Sequence, residues 1–284
     1  MILAYFQLFR ISGIFTVFSN ILLGFFIVQN STIQWISLVF LLTTSGCLFL
    51  SGITLNDFFD YKLDKKERPE RPLPSDKISR KRALLFGITF LIIANLLASF
   101  VSIQALVLSL IMSGLIFSYN TKLKNITILG IFNLSLIRFL NIFLGAAQEL
   151  PNKEIALIAT PLAIFVAGIG ILAKHEVSIS SKHIILNKIF VIITILLTTL
   201  IVINNNVSYN LIFLIIFIAL SSLPFAIFNK AVNQDVKKIV TMQLLNIIIL
   251  DAALIATISE ILFAVITISL YIPACLISKK IYFT

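Results

Sequence analysis

Long apolar runs dominate the chain, and short polar connections interrupt them at fairly regular intervals. Several runs reach about 18–20 residues, the length at which an α-helix crosses about 30 Å of hydrocarbon. The pattern predicts apolar segments near 11–28, 33–55, 83–100, 103–118, 126–147, 154–173, 184–203, 209–228, 239–257 and 261–278. Because the last two could form one broken element, we predict an all-α polytopic transmembrane helical bundle of nine or ten spans.

The composition excludes a soluble globular protein. Hydrophobic residues make up 59% of the 284 residues, charged residues make up 12%, and the mean hydropathy is +1.07. A soluble domain of this size needs more polar residues to cover its surface. No linker or low-complexity segment divides the pattern, so we predict a single transmembrane domain over residues 1–284, which contacts membrane lipids along its length.

The distribution of charge predicts an orientation. If the N-terminus is cytoplasmic and ten spans follow, 20 of the 22 lysines and arginines fall on the cytoplasmic side, with Lys153 outside and Arg138 within a span. Such an asymmetry is the signature of loops that stay in the cytoplasm. We therefore interpret the net charge of +10 as membrane topology in a cell inner membrane, and we expect no nucleic-acid partner.

One polar loop concentrates charges of both signs. The stretch "NDFFDYKLDKKERPERPLPSDKISRKR", residues 56–82, holds six of the twelve acidic and nine of the twenty-two basic residues. If the helix of the second span continues into it, Asn56, Asp60 and Asp64 share one face, and Asp57 lies three residues before Asp60. Stacked carboxylates repel one another. A cation removes this penalty, and oxygen ligands of this kind suit Mg²⁺.

The basic residues of the same loop indicate an anionic ligand. They surround the carboxylates as Lys65, Lys66, Arg68, Arg71 and the "SRKR" run. A diphosphate satisfies both sets, because its oxygens bind Mg²⁺ on one side and arginine or lysine on the other. A hydrocarbon tail on that diphosphate explains a site at the end of an apolar helix. The alternative is a cytoplasmic loop whose acids merely balance some of its bases.

A few polar residues interrupt the apolar segments. Arg138 costs about 2.5–3.5 kcal/mol at a helix centre, so it should face a cavity or a partner. It shares a helix face with Asn141 and Gly145. Either Arg138 faces a ligand cavity, or it forms a helix-tying pair with an acid such as Asp251.

Several short motifs together resemble the UbiA superfamily of intramembrane prenyltransferases. The family pattern NDxxDxxxD stands here as "NDFFDYKLD" and continues into "RPERPLPS" from Arg68 to Ser75. Supporting matches are "LFRISGIFTVFSNILLGF", which contains Arg10, Asn20 and Gly24, and "YNTKLKN", which contains Tyr119 and Lys124. The stretches "LIRFLNIFLGA", "HEV" and "ILDA" resemble its EboC-like branch.

The resemblance implies a helical bundle around a cavity, a prenyl diphosphate donor, a lipophilic acceptor, and Mg²⁺ as cofactor. It implies catalytic loops at about 56–82 and 174–183. We assign catalytic roles to Asp60, Asp64 and Tyr119, substrate binding to Arg10, Asn20, Arg68, Arg71, Lys124, Arg138 and Lys174, and metal binding to Asn56, Asp57, Asp60, Asp64 and Glu176.

The chain departs from the family pattern in two places. The second loop usually carries another Asp-rich motif, but it reads "LAKHEVSISSKH" here, with Glu176 as its one acid. Asp76 replaces the glycine that commonly follows Pro-Ser. The first departure keeps an alternative to the prenyltransferase open, namely a non-catalytic transporter or lipid-binding membrane protein on the same fold. A structural subunit of a membrane complex explains neither the motifs nor the charge layout.

Overall fold

The computed structural model describes residues 2–28, 33–149, 153–175, 180–205, 210–227 and 233–279. These residues form helices and short connections, without any strand. The helices are α1 (Ile2–Leu8), α2 (Ile14–Ile27), α3 (Trp35–Glu67), α4 (Arg80–Ser99), α5 (Ile103–Thr121), α6 (Thr127–Gly145), α7 (Lys153–Lys174), α8 (Ser181–Asn204), α9 (Asn210–Ile227), α10 (Asn233–Ile258), α11 (Ile261–Ser269) and α12 (Tyr271–Ser278).

Each of the ten predicted apolar segments is helical, which confirms the all-α prediction. Within the part of the chain that the structure describes, eight helices are long and apolar enough to cross a membrane, and two shorter apolar helices cover Ile11–Ile27 and Leu211–Ala226. The protein is therefore an integral membrane protein. The ninth and tenth segments are separate, because α10 ends at Ile258 and α11 begins at Ile261. The break that the sequence did not predict lies within the last segment, at Leu270 between α11 and α12.

Helix α3 is the longest element and carries the Asp-rich stretch out of the apolar region. It runs for 33 residues to Glu67, twelve residues past the end of the predicted apolar segment. No glycine or proline interrupts this extension, and its last residues include the good helix formers Lys65, Lys66 and Glu67. The helix ends where Arg68 precedes Pro69, because a residue before proline avoids the α conformation. The predicted continuation of this helix is confirmed, so Asn56, Asp60 and Asp64 share one helix face.

Two glycines let α2 and α6 cross at very short range. A Cβ atom on Gly24 would lie 1.9 Å from the carbonyl oxygen of Ile142, and one on Gly145 would lie 2.4 Å from that of Ile21. Small residues at such a crossing are the usual way for membrane helices to pack closely. The crossing brings the next turns of the two helices together, and these turns carry Asn20 and Arg138.

Helix α10 is the central element of the bundle. Its apolar window is 83% buried, whereas the corresponding window of α4 is 22% buried. It packs against α2, α7, α9 and α11. Asp251 lies on this helix and is fully buried, as are its sequence neighbours Leu250 and Ala252. A carboxylate thus stands in the middle of the bundle and needs polar neighbours there.

A small second core fixes the N-terminus against the loop that follows α3. Ala4 and Leu8 of α1 pack with Leu73, Ile78 and Ala83. The chain then turns at Arg10, which has a left-handed conformation with φ of 41°. This conformation costs a non-glycine residue roughly 1–2 kcal/mol. The turn separates α1 from α2 and directs the Arg10 side chain toward α3.

Candidate active site

A cavity of about 310 Å³ lies among α2, α3, α5, α6, α7 and α10. Its wall is largely apolar, with side chains such as Leu48, Met112 and Val166. Polar groups occur at two levels, which we name the mouth and the deep region. The mouth consists of Arg10, Asn56, Asp57, Asp60, Asp64, Arg71, Tyr119 and Lys124. The deep region consists of Thr16, Ser19, Asn20, Ser45, Arg138, Asn141 and Asp251.

The two levels are separated by several helical turns. Ser45 donates a hydrogen bond of 2.8 Å to Asn141 in the deep region. Along α3, Ser45 precedes Asn56 at the mouth by about 16 Å at 1.5 Å per residue. The cavity therefore connects the Asp-rich end of α3 with the interior of the bundle.

At the mouth, Asp57 and Asp64 bind arginines. Asp57 accepts a hydrogen bond of 2.9 Å from Arg10 and lies 3.8 Å from Arg71. Arg71 donates to both oxygens of Asp64, at 2.8 and 3.0 Å. The side chains of Asp57 and Asp64 are only 5% and 4% exposed, so these carboxylates are committed to the arginines.

The arginines of the mouth crowd together. Burial lowers the pKa of Arg10, the neighbouring Asp57 raises it, and the positive charges of Arg71 and Arg68 lower it further. Arg71 is held by its own loop, since its carbonyl accepts a hydrogen bond of 2.7 Å from the Ser75 hydroxyl. Such a concentration of cations is suited to an anion with several oxygens.

Asp60 meets a different partner from the other two aspartates. It accepts a hydrogen bond of 2.5 Å from Lys124, which follows α5 in a short 3₁₀ turn, Leu123–Asn125. The side chain of Asp60 is 23% exposed. Lys174, at the end of α7, donates to the carbonyl oxygen of Lys124. Three elements that are distant in sequence thus meet beside Asp60.

The second loop of the expected site is only partly described. Glu176 lies outside the described residues, so its assignment as a metal ligand stays a prediction. On either side of it, His175 and His183 stack with their ring centroids 3.8 Å apart. His183 also caps α8, because its Nδ1 accepts from the backbone N–H of Ser180. This capping accounts for one of the two histidines without a metal.

Arg138 anchors the deep region. Its guanidinium donates to the side-chain oxygens of Asn20, at 3.1 Å, and Thr16, at 3.0 Å. Asn20 in turn donates to Asp251 at 2.6 Å, and so does Ser19 at 2.6 Å. Arg138 also lines the cavity, as the sequence predicted for a residue that faces the bundle interior. Asp251 is its electrostatic partner, but the two are joined through the Asn20 amide.

The oxygen and nitrogen atoms that are available as ligands decide which residues could hold a metal. The described residues include no group of three or more His, Cys, Asp or Glu side chains with a metal-binding arrangement. Mg²⁺ commonly needs only one or two protein carboxylates, with water and phosphate in its other positions. Asp60, held by a single lysine, and Asn56, which lines the cavity one turn earlier, fit that requirement. Asp57 and Asp64 are bound by arginines and fit better as their anchors.

Comparison with known protein families gives a match to the UbiA prenyltransferase family over residues 17–176, which is just over half of the chain. Among curated relatives, a digeranylgeranylglyceryl phosphate synthase from Saccharolobus solfataricus is 28% identical over 250 residues, covering 82% of this chain and 88% of the relative. The enzyme of the same name from Pyrococcus furiosus is 40% identical over 98 residues. That alignment covers 34% of this chain and spans only 35% of the relative's length.

Solved structures share the fold. A UbiA homologue from Archaeoglobus fulgidus, bound to DMAPP and Mg²⁺, aligns with a TM-score of 0.67 and 15% identity, covering 93% of this chain and 99% of the homologue. A structure concerning digeranylgeranylglyceryl phosphate synthase aligns with a TM-score of 0.67 and 20% identity over 90% of this chain and 98% of the other. At these identities the likeness concerns the helical bundle alone.

Proposed function

Since the chain belongs to the UbiA prenyltransferase family, we propose that it transfers a prenyl group from a prenyl diphosphate to a lipophilic acceptor within the membrane. One observation carries the proposal: a dense set of carboxylates, arginines and lysines lies at the mouth of an apolar cavity. A diphosphate matches the cations, and its hydrocarbon tail matches the cavity wall.

The basic side chains of the mouth would bind the diphosphate group of the prenyl donor. Arg10 and Arg71 already hold their side chains in place against Asp57 and Asp64. An arginine uses only part of its donor capacity in such a pair, so it can bind phosphate oxygens at the same time. Among the described residues Lys124 has one carboxylate partner, Asp60, and it would move from that carboxylate to the diphosphate.

Asn56 and Asp60 are the residues that we propose to hold Mg²⁺. When bound, a divalent cation neutralises charge on the diphosphate and so favours its departure. The support is twofold: both residues offer oxygen ligands near the cavity, and a homologue of the same fold was solved with DMAPP and Mg²⁺. We propose that Asp64 is a positioning residue, because it holds Arg71 in place; its direct catalytic and metal-binding roles stay predictions.

The chain's own residues would guide the transfer. The bond between the allylic carbon and the diphosphate oxygen breaks, and the electron pair leaves with the diphosphate. The acceptor then bonds to that carbon and releases a proton. Tyr119 belongs to the mouth and also lines the cavity, so its phenol ring can face the positively charged allylic group. The apolar wall would exclude water, which would otherwise compete with the acceptor.

The relatives' names suggest one class of acceptor to test. Both curated relatives described above are named digeranylgeranylglyceryl phosphate synthase. A glyceryl phosphate lipid therefore belongs in any panel of acceptors for this protein, beside neutral lipids and phenols.

A second candidate function is supported by the reduced second loop. Glu176 is the one acid there, where the family pattern has several. A transporter or lipid-binding protein on the same fold would tolerate that loss. It would, however, have no evident use for the arginines and aspartates that the mouth holds in place.

The decisive experiment measures donor binding and turnover together. We expect the purified protein to bind geranylgeranyl diphosphate in Mg²⁺ and to lose most of that affinity in EDTA. Asp60→Ala should lower turnover by a factor of about 10²–10³ without lowering the melting temperature. Glu67→Ala removes the same charge from an exposed position on the same helix and should change neither value.

Mass spectrometry would complete this experiment. A prenylated product from host lipid extract would establish the transferase. Tight donor binding that is equal in Mg²⁺ and EDTA, with no product from any acceptor, would favour the transporter instead.

Orientation is part of the proposal. The charge asymmetry of the loops supports a cytoplasmic N-terminus and a cytoplasmic 56–82 loop. A cysteine placed at the exposed position Lys77 should therefore resist an impermeant thiol reagent in intact cells and react after lysis. Labelling before lysis would contradict this topology.

A further inference from the structure

Arg138 has more hydrogen-bonding capacity than its neighbours use. A guanidinium carries five N–H groups. Within the described residues, one hydrogen bond goes to Asn20 and one to Thr16, which leaves three donors on a side chain that lines the cavity. A hydrocarbon tail cannot accept these hydrogen bonds. The unused donors therefore point to a ligand group that contains oxygen.

Side chains that do not line the cavity set the orientation of the Arg138 guanidinium. Asn20 accepts from Arg138 through its Oδ1 and donates to Asp251 through its Nδ2. Ser19 donates to the same Asp251 oxygen, and α2, α6 and α10 each contribute one side of the arrangement. An arrangement on three packed helices fixes its central side chain before any ligand binds. If Arg138 only tied helices together, its hydrogen bonds to Asn20 and Thr16 would suffice. Its guanidinium would then not need to lie in the cavity wall.

The charges of the deep region decide which kind of oxygen would bind there. Arg138 and Asp251 have opposite formal charges and are linked through the single amide of Asn20. When Asp251 is ionised, these charges balance, and a second anion placed there would be a buried charge without a counterion. At the mouth, by contrast, each described carboxylate has a basic partner that can also bind an anion: Arg10 for Asp57, Arg71 for Asp64 and Lys124 for Asp60. Anionic groups belong at the mouth, and neutral groups belong in the deep region.

We infer that Arg138 binds the acceptor, and that it selects an acceptor whose buried end carries an uncharged oxygen, either a hydroxyl or a carbonyl. The inference rests on the proposed function, because it names the acceptor class of that same cavity. Asn20 and Asp251 are positioning residues, since they act through Arg138. The donor diphosphate stays at the mouth.

Two matched probes test the inference. Hexadecylglycerol and hexadecylglycerol phosphate differ in one anionic group, and each can be titrated in radiolabelled form into protein in phosphatidylcholine nanodiscs. With the mouth occupied by saturating geranylgeranyl diphosphate and Mg²⁺, we expect wild-type protein to bind the neutral probe more tightly than the phosphate probe. Arg138→Met should weaken binding of the neutral probe by about ten- to a hundredfold, as expected for loss of a hydrogen bond to a charged donor. Arg138→Lys should recover part of the affinity.

A control variant separates binding from helix packing. Asn187 and Gln243 form a fully buried pair of amide hydrogen bonds, at 2.9 and 3.2 Å, which joins α8 to α10 away from the cavity. The double variant Asn187→Leu, Gln243→Leu removes a buried polar link without touching the cavity. It should bind both probes as the wild type does. If it loses affinity as Arg138→Met does, the effect is one of packing, and the inference is wrong.

Asp251, the acidic partner of Arg138, offers an independent test. Asp251→Asn keeps a side chain of the same shape beside Ser19 and Asn20 but leaves the charge of Arg138 unbalanced. We expect the ratio of affinities to shift toward the phosphate probe by about tenfold or more, because the guanidinium then attracts an anion. An unchanged ratio would contradict the charge argument. Wild-type protein that prefers the phosphate probe, or that fails to bind the neutral probe, would overturn the inference.

Donor binding distinguishes this failure from a failure of the proposed function. Geranylgeranyl diphosphate should bind wild type and Arg138→Met with affinities within about threefold of each other. If donor binding is intact and Arg138→Met still binds the neutral probe as the wild type does, only the assignment of Arg138 fails. If no variant binds the diphosphate, the proposed function itself fails.

Discussion

The mouth and the deep region solve the same problem, charge in an apolar bundle, in different ways. At the mouth, opposite charges touch: Asp57 meets Arg10 at 2.9 Å, and Asp64 meets Arg71 at 2.8 Å. In the deep region, Arg138 and Asp251 do not touch, and the amide of Asn20 lies between them.

The difference suggests how each region would respond to a ligand. Direct ion pairs whose basic partners lie on turns, such as Asp60 with Lys124, can exchange one partner for a phosphate or a cation. The deep region lies entirely on packed helices, so it would hold a fixed geometry and accept only what matches it. The comparison predicts that changes in helix packing damage the deep region, and that changes in single charges damage the mouth.

The largest expected effect comes from the crossing of α2 and α6, which supports the deep region. In Gly24→Ala, the new Cβ would meet a backbone oxygen at 1.9 Å, and a backbone atom cannot turn aside as a side chain can. We expect a loss of about 3 kcal/mol or more, which corresponds to a melting temperature lower by roughly 6–12 °C. The measurement is thermal unfolding in detergent.

Gly114→Ala is the matched control for this prediction. A Cβ at Gly114 meets no atom within 4 Å, and alanine is the better helix former. This variant should be as stable as the wild type or slightly more stable. Equal melting temperatures for the Gly24 and Gly114 variants would show that the two helices can separate without cost.

The Asp-rich part of the mouth could be predicted from the sequence, because its residues are local. The spacing of Asn56, Asp60 and Asp64 on a continued helix places them on one face, and α3 does continue. The different partners of the three aspartates could not be predicted. It depends on where α1 and the loop after Arg68 return to α3, and those contacts are between distant parts of the chain.

Asp57→Ala and Asp60→Ala should differ in stability, and both should lose less stability than Gly24→Ala. Asp57→Ala leaves Arg10 without its partner, although the Arg10 side chain is 17% exposed and can reach some water. We expect a loss of about 2 kcal/mol, or roughly 4–8 °C in melting temperature. Asp60→Ala should leave the melting temperature nearly unchanged, because Lys124 can turn toward solvent. Equal losses of stability in the two variants would contradict the division into an anchor and a ligand.

The deep region was less accessible to sequence reasoning. Arg138 and Asp251 stood out because charged residues are rare in apolar segments, and the predicted interior position of Arg138 is confirmed. Thr16 and Ser19 gave no such signal, because small hydroxyl residues are common in membrane helices and bond to their own backbone. Only the crossing of α2 with α6 shows that Thr16 serves Arg138.

Lys174 should have a modest effect at the mouth. It fixes the Lys124 turn by donating to the Lys124 carbonyl oxygen, and its side chain is exposed. In Lys174→Met we expect two- to fivefold weaker binding of geranylgeranyl diphosphate, about 0.5–1 kcal/mol, with an unchanged melting temperature. Lys182→Met removes an exposed lysine at the start of α8 and serves as the control. A similar loss of affinity in both variants would mean that only the overall charge matters.

The smallest loss of stability concerns Asp76, in the loop that carries Arg71. Its φ of 57° is left-handed, the conformation in which glycine has no steric penalty and aspartate has a smaller one than most residues. This explains how aspartate can stand where the family commonly has glycine. Asp76→Ala should cost about 1 kcal/mol, because alanine lacks the local hydrogen bonds that aspartate can form. Asp76→Gly should stay within about 0.5 kcal/mol of the wild type, since the relief of strain is offset by the greater freedom of the unfolded chain. Thermal unfolding of both variants checks this order. If alanine is tolerated as well as glycine, the left-handed turn does not constrain the loop, and the mouth is held by its ion pairs alone.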